Sequence, residues 1–175
     1  MSGTAVLVID MQIGLVQGAY QHEQTLERIA SLIHQARDHD VPVVYLQHNH
    51  ASYPPLMKGA RTWHIHPAVA PDGGDCVIEK TASDGFYRTS LHQRLQQLSV
   101  DHLVVTGMQT EYCVDTTCRQ ALSLGYTITL VADGHTTGDA TLSARQTIEH
   151  HNTLLANLAH PTQNIRVLPC SEVTL

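Results

Sequence analysis

The chain has 175 residues, of which 42% are hydrophobic and 15% are charged. This composition predicts one folded domain over residues 1–175 with a substantial core, and it excludes a disordered chain. The net charge of −6, with histidines neutral, argues against a surface that binds nucleic acid or anionic membranes.

The sequence shows no sign of secretion or membrane insertion. No apolar run is long enough to cross a bilayer, and the N-terminus lacks the regions of a signal peptide. The cysteines show no disulfide-framework spacing; they are Cys76, Cys113, Cys118 and Cys170. We therefore expect reduced thiols and a cytoplasmic location.

The first third of the chain predicts two strands and a helix. Residues 4–9 (TAVLVI) predict a buried parallel strand that ends at Asp10. A loop is predicted over 12–20, an amphipathic helix over 23–40, and a second strand over 43–47. A carboxylate at the end of a central strand lies where open α/β sheets bind ligands, although an aspartate there can also cap a turn.

Residues 48–71 form the longest segment without periodicity, which is typical of a functional or mobile loop. The segment contains Trp63, the single tryptophan, and four histidines: His48, His50, His64 and His66. These histidines could bind a metal only if a carboxylate and a third ligand converged on them. Surface or hydrogen-bonded histidines are the favoured interpretation, and no metal is expected.

A third strand is predicted over residues 76–79, with Lys80 at its end. A lysine is normally a solvated charge. Lys80 nevertheless follows a strand in the same way as Asp10, which makes it a candidate site residue. A short helix is predicted over 90–98.

The most informative stretch is VVTGMQTEYCVDTTCRQALSLGY, at residues 104–126. The apolar run 102–106 predicts a strand that Gly107 ends, and helical spacing begins at Cys113. At such a junction, free helix N–H groups would lower the thiol pKa and could hold an oxyanion. The alternative is a small residue used for packing.

The remaining chain predicts a fifth strand over 127–132, ending at Asp133, and a last strand over 165–168. Between them, a helix is predicted over 142–158, capped by Asp139 or Thr141. Strands that alternate with helices predict a mainly parallel sheet covered on both faces.

Three polar residues share one position in this pattern. Asp10, Lys80 and Cys113 each follow a predicted strand. Because the carboxyl ends of parallel strands meet at one edge of a sheet, we expect the three side chains to project from the same edge.

Four segments resemble the isochorismatase-like cysteine hydrolase superfamily over nearly the full chain. They are VLVIDMQ (6–12), WHIHP (63–67), VIEKTASDGF (77–86) and the stretch 104–126. The resemblance implies a three-layer α/β/α, Rossmann-like fold whose six-stranded, mainly parallel sheet has the order 3-2-1-4-5-6. It also implies a catalytic triad of Asp10, Lys80 and Cys113, with Asp10 and Cys113 at the topological switch point.

The same resemblance implies an oxyanion hole formed by the backbone N–H groups of Gln109 and Cys113, and a cis peptide at Met108–Gln109. Lys80 would favour the thiolate, and Asp10 would relay the proton. Positions near the triad or in the long loop predict a substrate pocket lined by Leu15, Trp63, Phe86 and Tyr112. Trp63 could instead anchor the loop.

Departures from other family members narrow the expected chemistry. Nicotinamidase-like members bind a metal through Asp-x-His and a later histidine, whereas this chain has LQHNHASYPP at residues 46–55. Isochorismate-cleaving members generally lack the nucleophilic cysteine, so Cys113 favours hydrolysis of a C–N bond in a small amide, lactam or ureido compound. The form GMQTEYCVDTT is close to that of streptothricin hydrolase-like enzymes, which open a lactam amide.

Two alternatives remain at this point. One is a vinyl-ether hydrolase acting through Asp10 and Lys80, and the other is a degenerate member with a structural role. The expected partners are a small amide-like substrate and further copies of the chain in a homodimer or homotetramer. No cofactor, nucleic acid or membrane partner is expected.

Overall fold

Six strands form one sheet in the computed structural model, which describes residues 3–175. The strands are β1 (Gly3–Ile9), β2 (Val43–His48), β3 (Cys76–Lys80), β4 (Val100–Met108), β5 (Thr127–Thr136) and β6 (Ile165–Leu168). Their order is β3-β2-β1-β4-β5-β6, and each neighbouring pair is parallel. The predicted topology is confirmed.

Helices cover both faces of this sheet. On one face lie α3 (Leu91–Gln97), α4 (Asp115–Ser123) and α5 (Ala144–Ala156), and on the other lie α1 (Ile13–Val16) and α2 (His22–Asp38). Alternate residues of β1 enter the two cores, with Leu7 and Ile9 in one and Val6 and Val8 in the other. A strand buried on both faces needs an apolar run, which is what residues 4–9 supply.

The connection after β1 runs towards β2 on one side of the sheet, and the connection after β4 runs towards β5 on the other side. β1 pairs with β2 on one side and with β4 on the other. The connections that follow β1 and β4 therefore diverge and leave a crevice at the carboxyl ends of these two strands. This crevice is the place at which the residues of the candidate site meet.

β4 does not end at Gly107, as the sequence suggested, but continues to Met108. Gly107 has φ +120° and pairs with Ile9, and a Cβ at this position would overlap the Ile9 carbonyl oxygen. The glycine therefore permits a close approach of β4 to β1 rather than breaking the strand.

β5 is also longer than predicted, because it continues past Asp133 to Thr136. A register shift in the β4–β5 ladder, between Val105 and Gly107, absorbs the extra residues, and pairing resumes at His135 and Thr136. Such irregularities re-aim side chains beside functional sites. The residues beyond Asp133, where the strand was predicted to end, therefore contribute His135 to the sheet.

Helix ends differ from the predictions by a few residues. Residues 12–20 contain the short helix α1 rather than only a loop. The cap of α5 is Ser143 in a reciprocal capping box with Gln146, so neither Asp139 nor Thr141 is the N-cap. Asp139 precedes the helix and still contributes to its capping, because its carboxylate accepts the Ala144 N–H at 2.8 Å. None of the described helices is long and apolar enough to traverse a bilayer.

Candidate active site

Three polar side chains meet at the carboxyl edge of the sheet. The Lys80 ammonium Nζ lies 2.6 Å from Asp10 Oδ2 and 3.2 Å from Cys113 Sγ. The thiol sulfur and the nearest Asp10 oxygen lie within 4.8 Å of each other. The side chains of Asp10 and Lys80 are fully buried. The structure thus brings together the three residues that the strand-end pattern singled out.

Lys80 reaches this cluster across an intervening strand. It is the last residue of β3, and β3 is separated from β1 by β2, a distance of about 10 Å between strand axes. The long side chain spans that gap beside His48, its partner in the β2–β3 register. Its Nζ also donates to the Ala82 carbonyl at 2.9 Å. A shorter residue on β3 could not place a charge beside Asp10.

Asp10 adopts a constrained backbone conformation directly after β1. Its φ is +50°, in the left-handed region, and its N–H donates to the Leu46 carbonyl at 3.0 Å. Holding a residue other than glycine in this region costs about 1–3 kcal/mol, so the surrounding fold enforces it. The carboxyl group is thereby aimed into the crevice instead of continuing the strand direction.

Cys113 lies inside a π-helical turn, Thr110–Val114, that precedes α4. The expected helix start at Cys113 is therefore wrong by three residues, because the wide turn begins at Thr110. The Gln109 carbonyl accepts the N–H groups of Tyr112 at 3.1 Å and Val114 at 3.2 Å. The peptide between Met108 and Gln109 is cis. Wide turns of this kind are frequent at functional sites.

The expected direction of the thiol pKa shift is also wrong. Burial, followed by the negative charge of Asp10, raises the pKa of Cys113 to about 12, and Lys80 opposes the shift only in part. Burial likewise raises the pKa of Asp10, against the opposing charge of Lys80. Desolvation disfavours the charged form of both acids and exceeds the effect of the lysine. The resting site therefore holds a neutral thiol beside the Asp10 carboxyl group.

His48 is a member of this cluster that the sequence analysis did not assign. Its Nδ1 lies 3.1 Å from Lys80 Nζ and 3.9 Å from Asp10 Oδ2. Burial and the Lys80 charge lower the pKa of His48 to about 4, so its ring is neutral. The side chain of Gln12 fixes its backbone, accepting the His48 N–H at 2.9 Å and donating to its carbonyl at 3.0 Å. The strand-end rule used for Asp10 would also have found His48.

The cluster does not fit a resident metal ion. Asp10, His48 and Cys113 bring three possible ligand atoms within 4.8 Å of one another. However, the Lys80 ammonium is in contact with two of these atoms and forms an ion pair with the third. A metal bound among the three would lie against a buried positive charge, which is unfavourable.

Of the four histidines of the long loop, His48 and His50 stack with ring centroids 6.3 Å apart, and His64 and His66 make other contacts. His50 Nδ1 accepts the N–H groups of Ser52 and Tyr53, and His66 Nδ1 accepts the N–H of Ala68. The His64 ring lies edge-on to Trp63. The His50 and His66 rings thus stabilise turns of the loop, in agreement with the hydrogen-bonded interpretation.

The four residues predicted for the pocket wall are spread over different environments. Leu15 lines a cavity of about 220 Å³ together with Gln109 and Tyr53. Tyr112 is 53% exposed beside Cys113. The Phe86 ring stacks on Tyr126 with centroids 5.9 Å apart and packs against the core. Leu15 therefore shares a cavity with Gln109, and Phe86 has a packing role that competes with a pocket role. Lining of the substrate pocket by these residues stays a prediction.

Trp63 is tied into the long loop by its polar atoms. Its Nε1 donates to Asn49 Oδ1 at 2.6 Å, and its carbonyl accepts from Gln12 at 2.7 Å and from Gln47 at 3.0 Å. The residue also lines a cavity of about 200 Å³ on the β2 side of the loop. These bonds favour the anchoring role, and lining of the substrate pocket by Trp63 stays a prediction.

Comparisons with known proteins point in one direction. The isochorismatase domain family model matches residues 4–165. Streptothricin hydrolase of Streptomyces noursei is 36% identical over 140 residues, which is 77% of this chain and 50% of that protein. The chain thus spans about half the length of this relative.

Solved structures agree with the sequence comparisons. An isochorismatase family protein has a TM-score of 0.85 and 32% identity, covering 94% of this chain and 97% of its own. N-carbamoylsarcosine amidase from Thermoplasma acidophilum has a TM-score of 0.80 and 25% identity, covering 98% of both chains.

Proposed function

Because the chain belongs to the isochorismatase family, we propose that it is a cysteine hydrolase that cleaves a C–N bond in a small amide, lactam or ureido compound. The observation that carries the proposal is the contact between a carboxyl, an ammonium and a thiol in one buried cluster, formed by Asp10, Lys80 and Cys113. A thiol beside a base is the arrangement that nucleophilic catalysis needs. Two similar proteins, a streptothricin hydrolase and an N-carbamoylsarcosine amidase, carry names that describe hydrolysis.

In the proposed acylation step, the Asp10 carboxylate takes the Cys113 proton as the sulfur attacks the carbonyl carbon of the substrate. The resulting oxyanion accepts hydrogen bonds from the backbone N–H groups of Gln109 and Cys113. When the tetrahedral intermediate collapses, the C–N bond breaks and Asp10 gives the proton to the departing nitrogen. The products of this step are a free amine and a thioester on Cys113.

In the deacylation step, Asp10 takes a proton from water as the water oxygen attacks the thioester carbon. The C–S bond breaks, the acid is released, and Asp10 returns the proton to the Cys113 sulfur. Lys80 stabilises the negative charge while it resides on the carboxylate or on the sulfur. A raised thiol pKa suits this scheme, because the sulfur becomes charged only as it attacks.

The proposal is tested with a panel of small amides, lactams and ureido compounds assayed for release of ammonia or amine. Cys113→Ala should lower turnover by about 10³-fold or more, as expected for a residue that acts as part of a unit. Acid-quenched wild-type enzyme should show a mass increase equal to the acyl group, located on Cys113 by peptide mapping.

The matched controls are Cys76→Ala and Cys170→Ala, which remove partly buried thiols outside the cluster and should retain most activity. Cys118 is unsuitable because it is fully buried in the core. Retention of amide turnover by Cys113→Ala would contradict the thioester mechanism. Turnover of a vinyl ether that survives Cys113→Ala would favour the alternative reaction.

A further inference from the structure

A buried chain of hydrogen bonds connects the π-helical turn to β5 and α5. Thr110 Oγ1 lies 2.9 Å from His135 Nδ1, and His135 Nε2 lies 2.8 Å from Asn152 Oδ1. The Asn152 amide nitrogen donates to the Ala132 carbonyl at 3.0 Å. His135 is 2% exposed and Thr110 is 1% exposed. None of these side chains belongs to the Asp10–Lys80–Cys113 cluster.

The direction of each hydrogen bond in the chain is determined. Because the Asn152 nitrogen faces a carbonyl, its Oδ1 faces His135 and can only accept, so His135 Nε2 carries the proton. Burial lowers the pKa of His135 to about 4, so the ring is neutral and its Nδ1 has a lone pair. The Thr110 hydroxyl must therefore donate to Nδ1. Because the His135 ring has one tautomer, the Thr110 hydroxyl has one orientation.

The anchored residue lies at the start of the reactive turn. Thr110 directly follows Gln109 and begins the turn that contains Cys113. A second contact from the same strand end supports the turn, since the Thr137 hydroxyl donates to Glu111 Oε1 at 2.9 Å. The end of β5 thus holds two of the three residues that lie between the proposed oxyanion donors.

From this geometry we propose that His135 is a positioning residue for catalysis. The neutral ring, oriented by Asn152, fixes Thr110 and so holds the N–H groups of Gln109 and Cys113 at the spacing that an oxyanion requires. The inference rests on the proposed function. Donors that act on developing charge must be preorganised, and a small misplacement of such groups lowers rates by about 10²-fold.

The test uses acylation of the enzyme by p-nitrophenyl acetate, followed as the Cys113-dependent release of p-nitrophenolate. His135→Leu should lower the acylation rate constant at saturation by about 10²-fold and leave the half-saturating concentration within about threefold. Thr110→Val removes only the donor hydroxyl and should reproduce this pattern. Thr110→Ser keeps the hydroxyl and should recover most of the rate.

His102 supplies a matched control, because its ring also bridges two polar side chains, in this case two threonine hydroxyls. It lies 3.2 Å from Thr4 Oγ1 and 2.9 Å from Thr129 Oγ1, near the amino end of β4 and away from the crevice. His102→Leu should lower the melting temperature but keep the acylation rate within about twofold. If His135→Leu and Thr110→Val behaved like His102→Leu, the positioning role would be overturned.

The test also separates this inference from the proposed function. Should His135→Leu fail to fold, the Thr110→Val and Thr110→Ser pair still decides the outcome. Acylation that disappears in Cys113→Ala but is insensitive to His135 and Thr110 would reject only the positioning role. Acylation that persists in Cys113→Ala would reject the proposed nucleophile itself.

Discussion

At the scale of single residues, the site is governed by burial. Asp10 and Lys80 are both removed from water, so either charge alone would be costly and the pair is mutually dependent. Desolvation is the largest cause of the raised pKa of Cys113. The charge of Asp10 raises this pKa further, and the charge of Lys80 lowers it. Removing the charge of Asp10 and removing the charge of Lys80 should therefore shift the Cys113 pKa in opposite directions.

This opposition gives a prediction for alkylation of Cys113 by iodoacetamide. Asp10→Asn removes a negative charge, so the thiol pKa should fall and alkylation at a fixed pH should become faster. Lys80→Met removes a positive charge, so the pKa should rise and alkylation should become slower. Below its pKa, the thiolate fraction changes about tenfold for each pKa unit.

The measurement is the rate of Cys113 labelling between pH 7 and 10, read by peptide mass spectrometry in wild type and both variants. Labelling of Cys76 in the same samples provides the internal control, since it lies outside the cluster. An identical profile in wild type and Lys80→Met would show that the lysine does not act on the thiol.

At the scale of secondary-structure elements, the site depends on how closely β4 approaches β1. Gly107 provides that approach beside Ile9, the residue before Asp10. The π-helical turn then carries the chain from Met108 into α4. Propensity rules assign Gly107 to a strand end because they contain no information about the neighbouring strand.

We predict that Gly107→Ala destabilises the protein far more than Gly125→Ala. Both glycines have positive φ, +120° and +92°, but a Cβ at Gly125 would meet no atom of residues 3–175 within 4 Å. Gly125→Ala should therefore cost only the backbone strain, about 1 kcal/mol, or about 2–4 °C in melting temperature. Gly107→Ala adds a clash with the Ile9 backbone and should lose several times as much or fail to fold.

Thermal unfolding of the two purified variants checks this difference. Equal losses in the two proteins would mean that conformation alone, rather than the contact between β4 and β1, demands the glycine at position 107.

At the scale of the whole molecule, buried neutral histidines couple stability to pH. The pKa of His135 is lowered to about 4 by burial, whereas an unfolded chain protonates histidine near its ordinary value of about 6.5. The stability associated with the neutral ring is fully present above pH 6.5 and is lost as the pH falls towards 4. A shift of this size corresponds to about 3 kcal/mol.

We therefore predict that His135→Gln is most destabilising near neutral pH. The variant cannot bind the extra proton in its unfolded state, so the difference in free energy of unfolding from wild type should shrink between pH 6.5 and 4. Urea unfolding at pH 7, 5.5 and 4.5 measures this difference. A difference that stays constant with pH would contradict the prediction, and His102→Gln serves as the comparison for a less buried histidine.

The sequence by itself determined the layout of this protein. Apolar runs such as residues 4–9 and their alternation with helical stripes depend on local periodicity, which a chain carries in its own order. The same order put Asp10, Lys80 and Cys113 at strand ends, and parallel strands bring their carboxyl ends to one edge. The sheet order that the family resemblance implied was confirmed, and the catalytic roles of the three residues stay a proposal.

Only the tertiary structure determined the pKa shifts in the site and the hydrogen bonds that hold its residues in place. The sign of the Cys113 pKa shift follows from desolvation, which depends on the surrounding packing rather than on a helix start. The contact of His48 with Lys80 and the chain from Thr110 through His135 to Asn152 join residues 17 to 32 positions apart. Such contacts leave no periodic signal in the sequence, because they are set by the distances between elements after the sheet has formed.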